Sequence, residues 1–329
     1  MTNRSFRGSE VLVTGCNGFV GDALVSGLAE SGYSVRGAVR RHNGRGGSFE
    51  QVAVGEVGGA TDWQRAVAGV EAIIHLVART HATGERGGGD LADYRPINVD
   101  GTRRLAEEAA RAGVRRLVFV SSVKVNGERT TSEPFKASDT PAPEDAYGIS
   151  KREAEQALAE VSARTGLEVV IVRPPLVYGP GVKGNFARLV KLVERGLPLP
   201  LGAVDNRRSL VALPNLVDLL VRCVEAPNAA GQTFLVSDGE DVSTPRLIRM
   251  LGEASGRRAP LVPVPTALLR LAGRLTGRSE QVDRLCGSLQ VDISATREAL
   301  GWTPPVQIKD ALRDTVAGDS ESSFSSSKA

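Results

Sequence analysis

Cysteine is scarce in this 329-residue chain: Cys16, Cys223 and Cys286 stand far apart, odd in number and without a C-x-x-C pair. That spacing excludes a local zinc-ligand pair and fits a reducing compartment. Histidine is as rare, and His42, His75 and His81 form no metal-ligand pattern with nearby acids, so no metal is expected. Long apolar runs are missing too. Nothing approaches the roughly 18 apolar residues that cross a bilayer, and the opening MTNRSFRGSE lacks the apolar core of a signal peptide. The expectation is a soluble cytoplasmic protein with no membrane insertion. An excess of one charge is also absent: 41 Lys and Arg mix with 38 Asp and Glu for a net +3, which gives nucleic acid nothing to bind. No internal repeat is visible. The Ser-rich end, SESSFSSSKA, is expected to be disordered.

What is present begins at Glu10–Gly21, EVLVTGCNGFVG. The apolar run Val11–Val13 reads as a buried strand, and Gly15, Gly18 and Gly21 follow in a G-x-x-G-x-x-G frame. Leu24, Val25, Leu28 and Ala29 then repeat at helical spacing. One glycine permits a turn, a second lets the backbone approach a pyrophosphate, and the third lets helix and strand pack closely. Phosphates can rest on the free N–H groups of the helix start. Strand, loop and helix stand in the required order ahead of a second strand at Tyr33–Val39, which points to dinucleotide binding.

Further short apolar runs at 71–77, 116–121 and 168–172 alternate with helical patterns at 61–68, 99–112 and 146–165. This βαβ alternation predicts an α/β fold, a Rossmann-type doubly wound parallel sheet. Past Arg173 the segment RPPLVYGPGVKG reads as a loop and the order becomes irregular. The division expected is a cofactor domain over 1–175, to which later strands can return, a smaller α/β substrate domain over 176–315, and a disordered tail over 316–329.

Tyr147 and Lys151 form a Y-x-x-x-K at the start of a long helix, so both side chains share a face. A free phenol has a pKa of about 10, and a nearby ammonium favours the phenolate. Tyr147 can then exchange a proton with a carbinol oxygen while hydride passes to or from a cofactor. Ser121 and Ser122 lie at the carboxyl end of a strand, where open α/β sheets place ligands.

Glycine loop, strand-end serine, tyrosine and lysine in this order resemble the extended short-chain dehydrogenase/reductases, with UDP-glucose 4-epimerase-like nucleotide-sugar enzymes as the nearest look-alikes. The likeness reaches to about residue 315. It includes N-V-D-G-T at 98–102, S-S-V-K-V-N-G at 121–127, R-P-P-L-V-Y-G-P-G at 173–181 and L-G-W at 300–302. The resemblance implies that Ser122, rather than Ser121, acts with Tyr147 and Lys151. It places the cofactor against Gly15, Asn17, Gly18, Phe19, Val20 and Gly21, and against Leu76, Val77 and Ala78. Asn98, Tyr147 and Lys151 complete that wall, with Glu56 and Val57 near the adenine. Arg208 matches an arginine that clamps the substrate diphosphate, a job suited to a guanidinium. Asn185 is a candidate contact to the nucleotide. A homodimer is implied by the resemblance alone.

Three departures narrow the reaction. Dehydratases carry Asp-Glu where this chain has Val123-Lys124, which argues against dehydration; Lys124 either contacts substrate or is solvated. The second strand ends in Arg40-Arg41 with no acid, which favours NADP(H) over NAD(H), unless the loop is merely basic surface. Standard epimerases have an aromatic–x–Asn where Pro174-Pro175-Leu176 stands, which points away from strict UDP-galactose chemistry. The leading expectation is hydride chemistry at C4 of a UDP-hexose or UDP-N-acetylhexosamine in surface-polysaccharide synthesis. Arg40 and Arg41 tilt it to 4-keto reduction just ahead of 4-epimerisation. Behind these stand a non-sugar carbonyl reductase of the dihydroflavonol-reductase type and a non-catalytic NADP-sensing module.

Overall fold

The computed structural model of the chain describes residues 8–42, 49–80 and 89–326; His81 lies outside the described residues. The first half runs β1 (Glu10–Thr14), α1 (Phe19–Glu30), β2 (Ser34–Val39), β3 (Glu50–Ala53), α2 (Gln64–Val67) and β4 (Ala72–His75). It continues through α3 (Leu91–Arg95), a π-helical turn (Pro96–Gly101), α4 (Thr102–Arg111) and β5 (Arg116–Val120). After a 3-10 turn at Val123–Val125 come α5 (Ala146–Thr165), β6 (Glu168–Arg173), β7 (Leu176–Tyr178), α6 (Gly184–Glu194), β8 (Leu210–Ala212) and α7 (Leu213–Glu225). The remainder is β9 (Thr233–Leu235), α8 (Thr244–Ser255), α9 (Thr266–Leu275), α10 (Ser279–Cys286), α11 (Ser294–Leu300) and α12 (Ile308–Ser326).

Seven strands form one parallel sheet in the order β3-β2-β1-β4-β5-β6-β9, the doubly wound arrangement that the alternation predicts. Strand periodicity builds its two faces. Val11 and Val13 of β1 join a core with Leu24 and Leu28 of α1 and Leu216 and Leu220 of α7. Leu12 between them faces the other way, into a core with Trp63, Leu105 of α4 and Leu158 of α5. Strand order reverses between β1 and β4, so their carboxyl ends open a crevice where such sheets bind ligands.

Chain past residue 175 returns to this sheet, because α7 packs on α1 and β9 pairs with β6. The buried Arg116 on β5 ties the return in place. Its guanidinium donates to the Cys223, Val224 and Ala226 carbonyls at the end of α7, and its Nε donates to Glu168 at 2.8 Å. The rest of the later chain surrounds its own core of Phe186, Val190, Ile248, Leu251 and Leu312.

Two expectations are corrected. The segment read as a loop after Arg173 contains β7, which pairs in parallel with β8. Its Pro and Gly residues flank a strand only three residues long, too short to show a period. The tail read as disordered from 316 is helical to Ser326, and Val316 is buried in the second core. Thr315 and Val316 continue the apolar spacing of Leu312, which the serines beyond them obscure.

Candidate active site

The glycine loop is shaped by two distinct constraints. Gly15 sits at φ 72°, a left-handed conformation that a side chain strains. Gly21 has no room for a Cβ, which would stand 2.1 Å from the Gly15 carbonyl oxygen and 2.7 Å from the Cys16 Cα. Helix α1 therefore presses directly on the turn, with Gly18 at its N-cap donating to the Gly15 carbonyl at 2.9 Å. Asn17 and Gly18 are exposed, and Phe19 and Val20 half-buried, at the helix start that faces the crevice. A cradle with backbone donors and no Cβ at its tightest point fits a dinucleotide pyrophosphate.

The facing wall is the end of β4. The Thr14 hydroxyl accepts from the Leu76 N–H at 3.1 Å and bonds His75 Nδ1 at 2.7 Å, while His75 Nε2 meets the Thr102 hydroxyl at 3.0 Å. Burial first, and the nearby Lys151 charge second, push His75 down to about 3, so it is a neutral structural ring. Asn98, in the π-helical turn, accepts from the Arg79 N–H and donates to the Arg79 carbonyl and to Ser150 Oγ. It fixes the backbone just beyond Leu76, Val77 and Ala78.

At the end of β5 two adjacent serines diverge. Ser121 is buried and donates to Glu155 Oε1 at 2.6 Å. Glu155 also takes two hydrogen bonds from Arg173, at 2.9 and 2.6 Å, and Arg173 donates to Asn126 Oδ1. Ser122 is half-buried, caps the 3-10 turn by accepting from the Lys124 N–H at 3.2 Å, and hydrogen-bonds the Tyr147 phenol.

Helix α5 starts at Asp145, whose carboxylate accepts from the Gly148 N–H at 2.7 Å. That cap puts Tyr147 in the first turn, with Lys151 one turn on and 1% exposed. Lys151 Nζ lies 4.1 Å from the centroid of the Phe119 ring, which in turn stacks on His75. Tyr94 meets the Tyr147 ring edge-on. The expected lowering of the phenol by Lys151 is overturned. Burial, followed by the charges of Asp145 and Tyr94, pushes the phenol up, against a smaller lowering by the Ser122 hydrogen bond. Burial likewise pulls the Lys151 ammonium down to about 7, with Glu155 opposing. Desolvation thus outweighs the Ser122 hydrogen bond at the phenol and the Glu155 charge at the ammonium.

The remaining candidates divide. Lys124 is bound by two carboxylates, Asp145 and Glu128, the latter at 2.7 Å. Arg208 donates through Nη1 to the carbonyls of Arg284 and Gly287, at 2.7 and 3.1 Å, and feels the charge of Glu128. Burial and then Arg284 lower the Arg208 guanidinium. Arg208 thus sits on the same side as Lys124, anchored to the end of α10. Asn185 is exposed in the first turn of α6. Arg40 and Glu56, assigned to opposite ends of the adenosine, pair with each other at 3.5 Å with both side chains largely exposed, and Arg41 is exposed beside them. Val57 is half-buried against Gly101. Sequence reasoning missed Thr14, Phe119 and Glu155, polar or aromatic positions inside strands and helices that read as ordinary core. It also missed Asp238, which accepts from Tyr178, Asn215 and the Ala212 N–H and joins β7, β8 and α7. Among the described residues no cluster of three or more metal-ligating side chains forms, and no helix is long and apolar enough to cross a membrane.

Comparison with known proteins bears on this crevice. The profile of the NAD dependent epimerase/dehydratase family matches residues 11–237. A UDP-glucose 4-epimerase of Vibrio cholerae is 46% identical over 311 residues, spanning 93% of this chain and 94% of its own length. A 2-alkyl-3-oxoalkanoate reductase of Stenotrophomonas maltophilia is 30% identical, over 92% of this chain and 97% of its own. The crystal structure of UDP-glucuronic acid 4-epimerase from Bacillus cereus in complex with NAD shares the fold, with a TM-score of 0.77 at 22% identity, covering 95% of this chain and 99% of that one. The glycine cradle, the tyrosine–lysine turn and these matches agree that the chain is an enzyme of the NAD dependent epimerase/dehydratase family.

Proposed function

We propose that this enzyme is a 4-epimerase of a UDP-linked hexose or N-acetylhexosamine that retains NAD through turnover. One observation carries the reading. Tyr147 is hydrogen-bonded to Ser122 and one helical turn from a buried Lys151, beside a dinucleotide cradle, in a chain 46% identical to a UDP-glucose 4-epimerase over 93% of its length. Tyr147 takes the proton of the C4 hydroxyl and later returns it, Ser122 holds the same oxygen, and Lys151, drawn down to about 7, stands one turn from the phenol, where its protonated form favours the phenolate. A nicotinamide dinucleotide held by the Gly15–Gly21 cradle and Lys151 would supply the hydride acceptor and donor for C4 and, in its oxidised form, positive charge near the phenol. Arg208 holds the diphosphate while the 4-keto sugar turns over, with Asn185 as a second contact, and Lys124 holds Asp145 at the head of α5.

This ordering reverses the narrow preference for reduction, which rested on Arg40 and Arg41. Arg40 comes paired with Glu56, whose carboxylate opposes a 2′-phosphate and offers an acceptor to a ribose hydroxyl. NAD is therefore favoured over NADP, and Arg41 remains the residue that speaks for NADP. A non-sugar reductase keeps support from the oxoalkanoate reductase relative, but such a substrate needs no diphosphate clamp. The family resemblance further supports a homodimer.

Incubation with UDP-glucose, UDP-GlcNAc and a UDP-4-keto-6-deoxy-HexNAc without added cofactor tests the reading. Interconversion of C4 epimers supports it, and consumption of the keto-sugar only when NADPH is added returns the reductase to first place. Arg208→Ala should weaken UDP binding about ten- to a hundredfold, the roughly 1.5–3 kcal/mol of one charge-assisted contact. Unchanged UDP affinity in a folded variant removes Arg208 from the site.

A further inference from the structure

Helix α9 presents the three most exposed large apolar side chains among the described residues: Leu275 at 80%, Leu268 at 55% and Leu271 at 52%. Their spacing puts them on one face. The opposite face is clamped to the body: Leu269 packs on the second core, and Gly273 is buried so closely against Val282 that a Cβ would stand 2.8 Å from it. The helix is thus held in place with its leucines outward, and Val262, 44% exposed, precedes them. Scattered single leucines are normal on a surface, but a clustered apolar face on a fixed helix marks a contact site.

Charge selects the occupant. Arg274 borders the leucine face and Arg278 follows the helix end, both exposed, while Arg270 lies on the side turned to α10. Arg270 has a carboxylate nearby, Asp283 at 3.5 Å. A second copy apposed through this face would set the same arginines against one another, whereas an anionic surface matches them. We propose that α9 docks the enzyme on an anionic phospholipid membrane. The leucines enter the boundary of the acyl chains and the arginines reach the headgroup phosphates, a peripheral contact that spans nothing. Helix α10 packs on α9 and carries in its last turn Arg284, whose carbonyl accepts from Arg208. The docked face is therefore one helix removed from the anchored end of the site. The docking does not depend on which sugar the enzyme takes.

The test is flotation of the full chain with vesicles of phosphatidylcholine alone and with about one third phosphatidylglycerol, at low salt. Wild type should bind the anionic vesicles about tenfold or more over the neutral ones, as an amphipathic basic helix does. The triple variant Leu268→Ser, Leu271→Ser, Leu275→Ser should lose at least about tenfold of that binding, because apolar burial is what holds such a helix at the interface. It should keep its Tm and its turnover of soluble UDP-sugar. Arg274→Ser with Arg278→Ser should bind the anionic vesicles no better than neutral ones. If the triple variant does not fold, the single change Leu275→Glu at the most exposed position carries the same test. Wild type that ignores anionic vesicles, or a folded variant that binds them as well, overturns the proposal. A wild-type dimer that ignores vesicles and that the triple variant dissociates assigns the face to a second copy instead.

Discussion

Ser121 and Ser122 are neighbours at the end of one strand, yet they open onto two different polar networks. Beneath the strand end, Ser121, Glu155, Arg173 and Asn126 form a nearly closed set, edged by Arg152 and the Lys136 carbonyl, in which the Glu155 carboxylate and Arg173 guanidinium are almost wholly buried. Above it, Ser122, Tyr147, Lys124, Asp145 and Glu128 form an open set with partly exposed members and a phenol facing the crevice. The two teach that polarity at an active site has two uses. The buried set fixes where β5, β6 and α5 stand, and the open set keeps groups available for proton transfer on that fixed floor. Removing a member of the first should cost the fold, and removing a member of the second should cost turnover.

The sharpest break is Tyr147→Phe. The ring still packs, but the proton carrier is lost, so turnover should fall about 10²–10⁴-fold while stability and cofactor binding hardly change. More than half of wild-type activity would sink the assignment. Glu155→Ala should do the reverse. It leaves the Arg173 guanidinium buried without its carboxylate, a loss of about 3–5 kcal/mol in chemical denaturation. A loss below about 1 kcal/mol, the scale of an exposed pair, would show that the closed set fixes nothing.

Lys151 lies between the two networks, feeling the Glu155 charge of the one and standing one helical turn from Tyr147 of the other, and pH reads out its burial. The ammonium is pulled down to about 7 in the fold from an ordinary 10.5. Between those values the unfolded chain holds a proton that the folded chain has released. The fold therefore gains stability from this group as pH rises from about 7 to about 10.5, and carries the full penalty below about 7. Denaturation midpoints of wild type should climb relative to Lys151→Met across pH 7 to 9.5, and parallel curves would contradict the burial of the ammonium. The smallest effect is expected at Lys124→Met, where the pair is partly exposed. Stability should change by less than about 1 kcal/mol, with the loss appearing instead in kcat as the head of α5 loosens. A loss of several kcal/mol would erase the difference between the two networks.

The same contrast explains what the sequence made legible. The glycine loop, the parallel sheet and α5 follow from local signals, since periodicity and the special backbone needs of Gly15 and Gly21 act over a few residues. Tyr147 and Lys151 were legible as candidates because one helix turn places them, and Ser122 was chosen over Ser121 by the family resemblance. Glu155, Asn126 and Arg173 were not, because their meaning lies in pairing across elements, and a glutamate inside a helix looks like solvated surface until its partner is known. Arg40 and Glu56 were read separately and prove to face each other. The strand β7 and the helix α12 escaped for a related reason: β7 is held by pairing with β8 and α12 by packing on α8, not by their own pattern. Asp238, which binds β8 and α7 to Tyr178, belongs with them.

The account's central claim is that hydride leaves C4 and returns to the same carbon without entering the cofactor pool. Wild type should be incubated with UDP-hexose carrying deuterium at C4, no cofactor added, and the epimeric product analysed by mass and NMR. The account predicts conversion with the deuterium still at C4 in the epimer. Loss of the label during epimerisation, or no conversion beside a net consumption of NADPH by a keto-sugar, would contradict it.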